Sequence, residues 1–421
     1  MTICSYFKLN SIAFAAALLL PIASFADDST AANTDNTVNA VNLPIGPNNG
    51  HPQAPLIIPP APTIDAKAYI ILDASSGKIL GANDADVKLP PASLTKLMTL
   101  YITFNALANG QIHLDDKVPV SNKAWQTGGS RMFIKPSDTV TVRELIQGII
   151  VDSGNDACVA MAEFIGGSED AFTNLMNQQA ARLGMNNSHF TDCNGLPDPN
   201  HYSSAHDMAI LARAIIMQFP EYYKGFSQKE FTYAGITQQN RNRLLWRYPN
   251  TDGLKTGHTN EAGYCLVSSA KQGDTRFIAA VFGAPSDNAR AEDSQALLTY
   301  AARFYETKKL YNANQVLGQV RVWKGIDKIV DVGLSADTYL TIPAGRIDKI
   351  STQTMLPSKV NAPVQKGQVL GKVSVLLDNN TLAEYPLVAL KADPLGSWWT
   401  RMVDSVGATV HGWWSKKEQE I

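Results

Sequence analysis

Three short strings, in a fixed order along the chain, hold the residue types needed to open an amide bond through an acyl-serine intermediate. They are Ser93-Leu94-Thr95-Lys96, Ser153-Gly154-Asn155 and Lys255-Thr256-Gly257. A serine hydroxyl is a poor nucleophile at neutral pH and needs a base. A lysine can be that base only when neutral, and burial or a second nearby cation pushes its pKa that way. Lys255 is a candidate for the second cation. In this scheme Lys96 takes the Ser93 proton, and Ser153 relays a proton to the leaving amine with Lys255 behind it. Asn155 holds the substrate backbone and Lys96.

Spacing alone does not select these strings. Ser5 and Lys8, Ser75 and Lys78, and Ser268 and Lys271 are also three apart. The first pair lies in a segment expected to be removed, and the other two fall at hairpin turns or strands. Residues three apart share one face of a helix but lie on opposite faces of a strand. Only at Ser93 does the string open a helix, whose free backbone N–H groups can also meet an oxyanion. Ser286-Asp287-Asn288 matches the second string by letter but follows Lys255-Thr256-Gly257, just after a strand, and reads as a turn. His201 and His206 lack an acidic partner at zinc-site spacing and read as loop and cap residues. Glu292 and Asp293 read as a solvated helix face. No G-x-S-x-G elbow, P-loop or dinucleotide fingerprint occurs. No metal or cofactor is expected.

The elements that must position these residues are legible as periodicity. Residues 68–72 and 78–80 flank the turn Asp73-Ala74-Ser75-Ser76-Gly77, so the folded region opens with a hairpin. Helices are expected at 93–108, 143–151, 156–165, 168–183 (ended by Gly184) and 204–218. Strands at 253–258, 263–270 and 276–282 form a meander, and a helix follows at 292–307. An antiparallel sheet with a central helix cluster is α+β architecture. From about 310 the segments 320–323, 328–332, 339–342, 369–377 and 385–390 are short and β-rich, which predicts a small all-β domain.

Composition narrows the class. The chain has 421 residues and a formal net charge of −2. That is long enough for more than one domain, and it argues against a nucleic-acid binder. Lys8, the apolar run 12–22 and the small-x-small triplet Ser24-Phe25-Ala26 predict a secretory signal peptide over 1–26. Residues 27–63 are rich in Asn, Pro, Thr and Ala and read as a disordered spacer. The divisions that follow are 64–308 for the catalytic domain, 309–391 for the β domain and 394–417 for a terminal helix. Cys158, Cys193 and Cys265 remain after the signal and fit no metal spacing. A Cys193–Cys265 bridge is possible, but buried free thiols are the expectation. In the tail, Trp398, Trp399, Met402, Val403, Val406, Val410, Trp413 and Trp414 fall on one half of a helical wheel, opposite Arg401, Asp404 and His411. Four of the seven tryptophans lie here, which predicts an in-plane membrane anchor.

With its longer strings included, the chain resembles the low-molecular-mass D-alanyl-D-alanine carboxypeptidases of the penicillin-binding protein 5 and 6 type. Those strings are residues 93–99 (SLTKLMT), 153–162 (SGNDACVAMA) and 252–259 (DGLKTGHT), with Asn240-Arg241-Asn242 and Tyr202-Ser203-Ser204-Ala205 beside them. The resemblance implies a penicillin-recognising catalytic domain built on a five-stranded antiparallel sheet, a β-sandwich pedestal and a membrane anchor. It implies a peptidoglycan stem peptide ending in D-Ala-D-Ala as substrate, acylation of Ser93 by β-lactams, and a place on the periplasmic face of the inner membrane in cell-wall remodelling. It also implies an oxyanion hole from the backbone N–H groups of Ser93 and His258, with Thr256, Gly257, Arg241 and Arg290 near the substrate carboxylate.

Two alternatives share part of the pattern. A class A β-lactamase carries the three strings and also a Glu-x-x-x-Asn arrangement, which does not occur between Ser153 and Lys255. A catalytically silent envelope scaffold that binds peptidoglycan would not need Ser93, Lys96 and Lys255 intact.

Overall fold

The computed structural model describes residues 58–404. The signal-peptide reading, most of the 27–63 spacer reading and residues 405–417 of the tail lie outside them. The opening hairpin is formed by β1 (Ala68–Asp73) and β2 (Ile79–Asn83). The meander follows as β3 (Thr251–Thr259), β4 (Gly263–Gln272) and β5 (Thr275–Ala284). These strands make one antiparallel sheet in the order β2-β1-β5-β4-β3. The strand carrying Lys255-Thr256-Gly257 is therefore an edge strand.

Both faces of this sheet are covered, and the period-two alternation divides its side chains between two cores. Ala68, Ile70 and Leu72 of β1, with Ile278, Ala280 and Phe282 of β5, face the larger core. Tyr69, Ile71, Phe277, Ala279 and Val281 face a smaller one. The larger core is built around helix α1 (Lys96–Ala108), which is buried on nearly all sides. Such a helix belongs at a domain centre. Phe104 is fully buried there, stacked on Tyr222 at 5.2 Å and edge-on to Phe226 at 6.3 Å.

Around α1 lie α2 (Val142–Gln147), α3 (Asn155–Gly166), α4 (Glu169–Leu183) and α5 (Ala205–Gln218), while α6 (Asp287–Phe304) covers the smaller core. The caps are local. Ser168, Ser204 and Ser286 each accept a backbone N–H of the first turn, and Gly184 ends α4 in the left-handed region. Two expectations shift here. Residues 143–151 are not one α-helix, because α2 passes into a π turn at Gly148–Asp152. Ser286-Asp287-Asn288 is no turn: Ser286 caps α6, which starts and ends earlier than 292–307.

The reading of 27–63 as a spacer is also corrected at its end. Ala61, Ile64 and Ala66 pack on the smaller core, and Tyr300 donates to the Pro59 carbonyl at 2.9 Å. The end of the supposed spacer is thus docked on the domain.

From Tyr305 the chain is β. Strands β6 (Tyr305–Tyr311) and β9 (Thr338–Pro343) form a two-stranded sheet. A six-stranded sheet is made from β7 (Val316–Trp323), β8 (Ile329–Gly333), β10 (Ile350–Met355), β11 (Lys359–Asn361), β12 (Val369–Leu377) and β13 (Asn380–Ala389). Its order is β10-β12-β13-β8-β7-β11. Periodicity misses β10 because it is Ser- and Thr-rich, and it misses β11 because it is three residues long. The two regions meet through polar contacts. Thr307 donates to Asp73 at 2.8 Å, and Lys78, one of the discarded lysines, donates to the Thr341 carbonyl at 3.1 Å. The other discarded pair divides as expected for a strand, with Ser268 buried and Lys271 exposed.

Residues 398–404 are helical; Asp404 is buried and accepts the Lys324 N–H at 2.6 Å, whereas Arg401 is exposed. Trp398, Trp399, Met402 and Val403 are exposed. None of the helices among the described residues is long and apolar enough to cross a membrane.

Truncation of the ring at the centre of α1 tests the packing. Phe104→Ala should cost about 3–5 kcal/mol, read as a lower urea midpoint of unfolding, and a loss under about 1 kcal/mol would contradict the described packing.

Candidate active site

Ser93 sits in a single turn of 3-10 helix, Ala92–Thr95, just before α1. Ala92 ahead of it has φ 48°, a strained value for a residue with a Cβ. The strain is held by neighbours. Thr95 donates to the Ala92 carbonyl at 2.8 Å, and its hydroxyl lies 2.8 Å from His201 Nε2. Gly195 packs so close that a Cβ on it would lie 1.8 Å from the Ala92 oxygen. Ser93 itself is half-buried at the wall of a cleft of about 880 Å³.

The start of α1 places Lys96 one turn on. Its Nζ donates to Ser93 Oγ at 2.7 Å and to the Asn194 carbonyl at 2.7 Å, with no exposure to solvent. Burial lowers the Lys96 pKa from its usual value, and the Arg241 charge acts in the same direction.

Ser153 ends the π turn in the left-handed region at φ 58°. Lys255 Nζ donates to Ser153 Oγ at 2.9 Å and to the Thr256 carbonyl at 3.1 Å. Burial pushes the Lys255 pKa well down, and the charges of Lys96 and Arg241 push it further. Two buried ammonium groups in one site disfavour each other, so the pair is best occupied by a single proton.

Asn155 departs from expectation. Its Nδ2 donates to the Gly128 carbonyl at 2.7 Å, and its buried Oδ1 has no partner among the described residues. The second bond of Lys96 goes to Asn194, not to Asn155. Asp156, next in line, pins the wall of the cleft by accepting the N–H groups of Met132 and Phe133 at 2.8 Å each.

The opposite wall is β3. A Cβ on Gly257 would lie 2.8 Å from the Pro91 carbonyl, so the glycine lets the strand approach the Ser93 turn. Thr256 and His258 line the cleft, with His258 4.0 Å from the Tyr264 ring. Four arginines line it too, and three are engaged. Arg290 is buried, donates to the Gly257 carbonyl at 2.9 Å and pairs with Asp287. Arg243 pairs with Asp287 at 2.5 Å, and Arg247 with Glu292 at 3.3 Å. Arg241 makes no ion pair or hydrogen bond among the described residues.

Of the ten expected site residues, Ser93, Ser153, Arg241, Thr256, Gly257, His258 and Arg290 line this one cleft, Lys96 and Lys255 bond to its serines, and Asn155 bonds to the Gly128 carbonyl. Sequence reading missed the loop that backs Lys96. Asp192 accepts the N–H groups of Asn194 and Gly195 at 2.8 and 2.6 Å, which aims the Asn194 carbonyl. His201, read as a loop residue, is buried against Thr95. The dipeptide Asn194-Gly195 was the available signal, since Asn-Gly marks a forced turn. Glu292 and Asp293 are not simply a solvated face, because Glu292 pairs with Arg247 and Asp293 is half-buried. The three cysteines are buried and free. Among the described residues, no His, Cys, Asp and Glu cluster could hold a metal.

The chain is similar to known proteins over most of its length. Residues 56–286 match the family model described as D-alanyl-D-alanine carboxypeptidase, and residues 305–394 match that of the penicillin-binding protein 5 C-terminal domain. The D-alanyl-D-alanine carboxypeptidase DacA of Escherichia coli K12 is 43% identical over 365 residues, covering 85% of this chain and 91% of the relative. Among solved structures, penicillin-binding protein 5 from Haemophilus influenzae aligns with a TM-score of 0.75 at 41% identity, over 79% of this chain and 98% of that one. Penicillin-binding protein D2 from Listeria monocytogenes in its ampicillin-bound form aligns with a TM-score of 0.53 at 30% identity, over 57% of this chain and 99% of that one.

One titratable group stands behind the site. Asp152, the last residue of the π turn, is buried, and its Oδ1 has no partner among the described residues. Burial, with the Asp156 charge, pushes its pKa up to about 7, against the pull of Arg241. Between the unfolded value and about 7 the folded chain holds a proton that the unfolded chain has lost, so stability falls as pH rises through that window. Asp152→Asn removes this contribution. The difference in melting temperature between about pH 5 and about pH 8 should then shrink relative to the parent, and an unchanged difference would clear Asp152 of the effect.

Proposed function

This chain belongs to the D-alanyl-D-alanine carboxypeptidase family, and from that membership we propose how its residues divide the reaction. It is a serine-type carboxypeptidase of the penicillin-binding protein 5 and 6 type. Its substrate is the D-Ala-D-Ala end of a peptidoglycan stem peptide, and its product is the peptide shortened by one D-alanine. The observation that carries the division of roles is the 2.7 Å contact between fully buried Lys96 and Ser93.

In our reading Ser93 Oγ attacks the carbonyl of the penultimate D-alanine while its proton passes to neutral Lys96. The C–N bond breaks, and the leaving amine takes a proton from Ser153, which is refilled from protonated Lys255. The lysine pair still holds one proton, now on Lys96. Its return to Lys255 restores the base, and water then attacks the acyl-Ser93 ester. Lys96 accepts the water proton and passes it to Ser93 Oγ as the ester C–O bond breaks. The backbone N–H groups of Ser93 and His258 would stabilise the oxyanion.

Arg241, a cleft cation with no ion-pair partner among the described residues, is assigned to the terminal carboxylate, with Thr256 beside it. Arg290 is assigned a supporting part, since its bond to the Gly257 carbonyl holds β3 against the Ser93 turn. Asn155 is assigned to the substrate backbone, for which its unpartnered Oδ1 is available.

We also propose that the protein is exported and rests on the outer face of the cytoplasmic membrane. The 1–26 sequence pattern supports export. The outward Trp398, Trp399, Met402 and Val403, with Asp404 turned in, support an apolar face for the bilayer interface.

Incubation with an Nα,Nε-diacetyl-Lys-D-Ala-D-Ala peptide should release one D-alanine per turnover, and Ser93→Ala should abolish release. Peptide mapping after penicillin treatment should place the adduct on Ser93. Labelling at another residue would overturn the assignment. Deleting residues 398–421 should move the protein from the membrane pellet to the soluble fraction, and continued pelleting would refute the anchor.

A further inference from the structure

A second cleft, of about 480 Å³, adjoins the first at the nucleophile. It is lined by Ala92, the residue before Ser93, and by Thr259 and Glu261, just past the Thr256-Gly257-His258 stretch that lines the first. Its remaining walls come from the 88–91 segment and from the loop that holds Lys96. The two clefts therefore flank one reacting carbonyl. The arginine-lined cleft suits the end of the substrate that carries the terminal carboxylate. The rest of the peptide must leave on the other side, along β3 and into the second cleft.

The charges there are opposite in balance. Lys88 lies 4.7 Å over the Tyr202 ring, while Asp198 and Glu261 contribute two carboxylates. Asp198 already accepts the Asn200 N–H at 2.7 Å. Glu261 is exposed, and Lys67 reaches only its backbone carbonyl, so its carboxylate has no ion-pair partner among the described residues. Apolar Leu89 and Leu196 line the same cleft, which suits a methylene stem.

We propose that this cleft is the subsite for the residue preceding D-Ala-D-Ala, and that Glu261 selects a side chain ending in a free ammonium group. The proposal rests on the carboxypeptidase reading above. It also gives the peptide arm a means of influencing the chemistry, because the loop it touches supplies the Asn194 carbonyl to Lys96.

The test compares two peptides, Nα-acetyl-Lys-D-Ala-D-Ala with a free ε-amine and the same peptide acetylated on that amine. The wild-type protein should prefer the free amine by about two- to fivefold in kcat/KM, the range of one exposed ion pair. Added salt should weaken the preference. Glu261→Gln should bring the ratio close to one, with labelling of Ser93 by fluorescent penicillin reporting that the variant is folded. Equal turnover of both peptides by the wild type, or a preference that survives Glu261→Gln, would overturn the subsite. If neither peptide is hydrolysed and penicillin leaves Ser93 unlabelled, it is the carboxypeptidase reading that fails.

Discussion

The molecule is organised around one amine kept out of water beside one hydroxyl. Lys96 lies within hydrogen-bond distance of Ser93 and has no exposure. In water a lysine at neutral pH is charged and cannot accept a proton. Desolvation lowers the pKa against the upward pull of the nearby Asp192 charge, and the amine must be satisfied without a carboxylate in direct contact. The Asn194 carbonyl does so, since a neutral acceptor orients the amine and leaves the depressed pKa in place. A carboxylate there would favour the charged form.

Keeping that arrangement dry explains much of the fold. α1 begins at Lys96 and is apolar on nearly all sides, so its first turn is anchored from the domain centre. The strained turn before it is closed from behind by Gly195, Thr95 and His201. Gly257 brings β3 against its other side, and Arg290 fastens that strand through a backbone carbonyl. The left-handed backbone at Ala92 is thus held by close neighbours, as expected where geometry matters to chemistry.

Much of this was legible in the sequence because the informative features were local. The spacing of Ser93 and Lys96 puts both on one helix face, the helices at 168–183 and 204–218 show in their periodicity, and the opening hairpin and the later meander show in their turns. What escaped was set by tertiary contact. His201 has no telling neighbours in sequence and becomes informative only when Thr95 lies beside it. The Lys96 acceptor is a backbone carbonyl, which no residue identity encodes. Arg290 resembles a substrate ligand by position, yet its guanidinium is used by the protein itself. β10 was missed because its Ser-Thr-Gln-Thr core looks like a loop until β12 pairs with it.

The place of β3 at the sheet border carries a further consequence. A strand bonded on one side only is an open seam, and in most proteins such seams invite sticking between copies. Here the seam forms a wall of the cleft, and Lys255 and Thr256 are almost wholly covered although no sixth strand pairs with them among the described residues. A cleft of about 880 Å³ leaves room beside it for one thin extended chain. The same recess that admits such a guest guards the protein against fusing with itself.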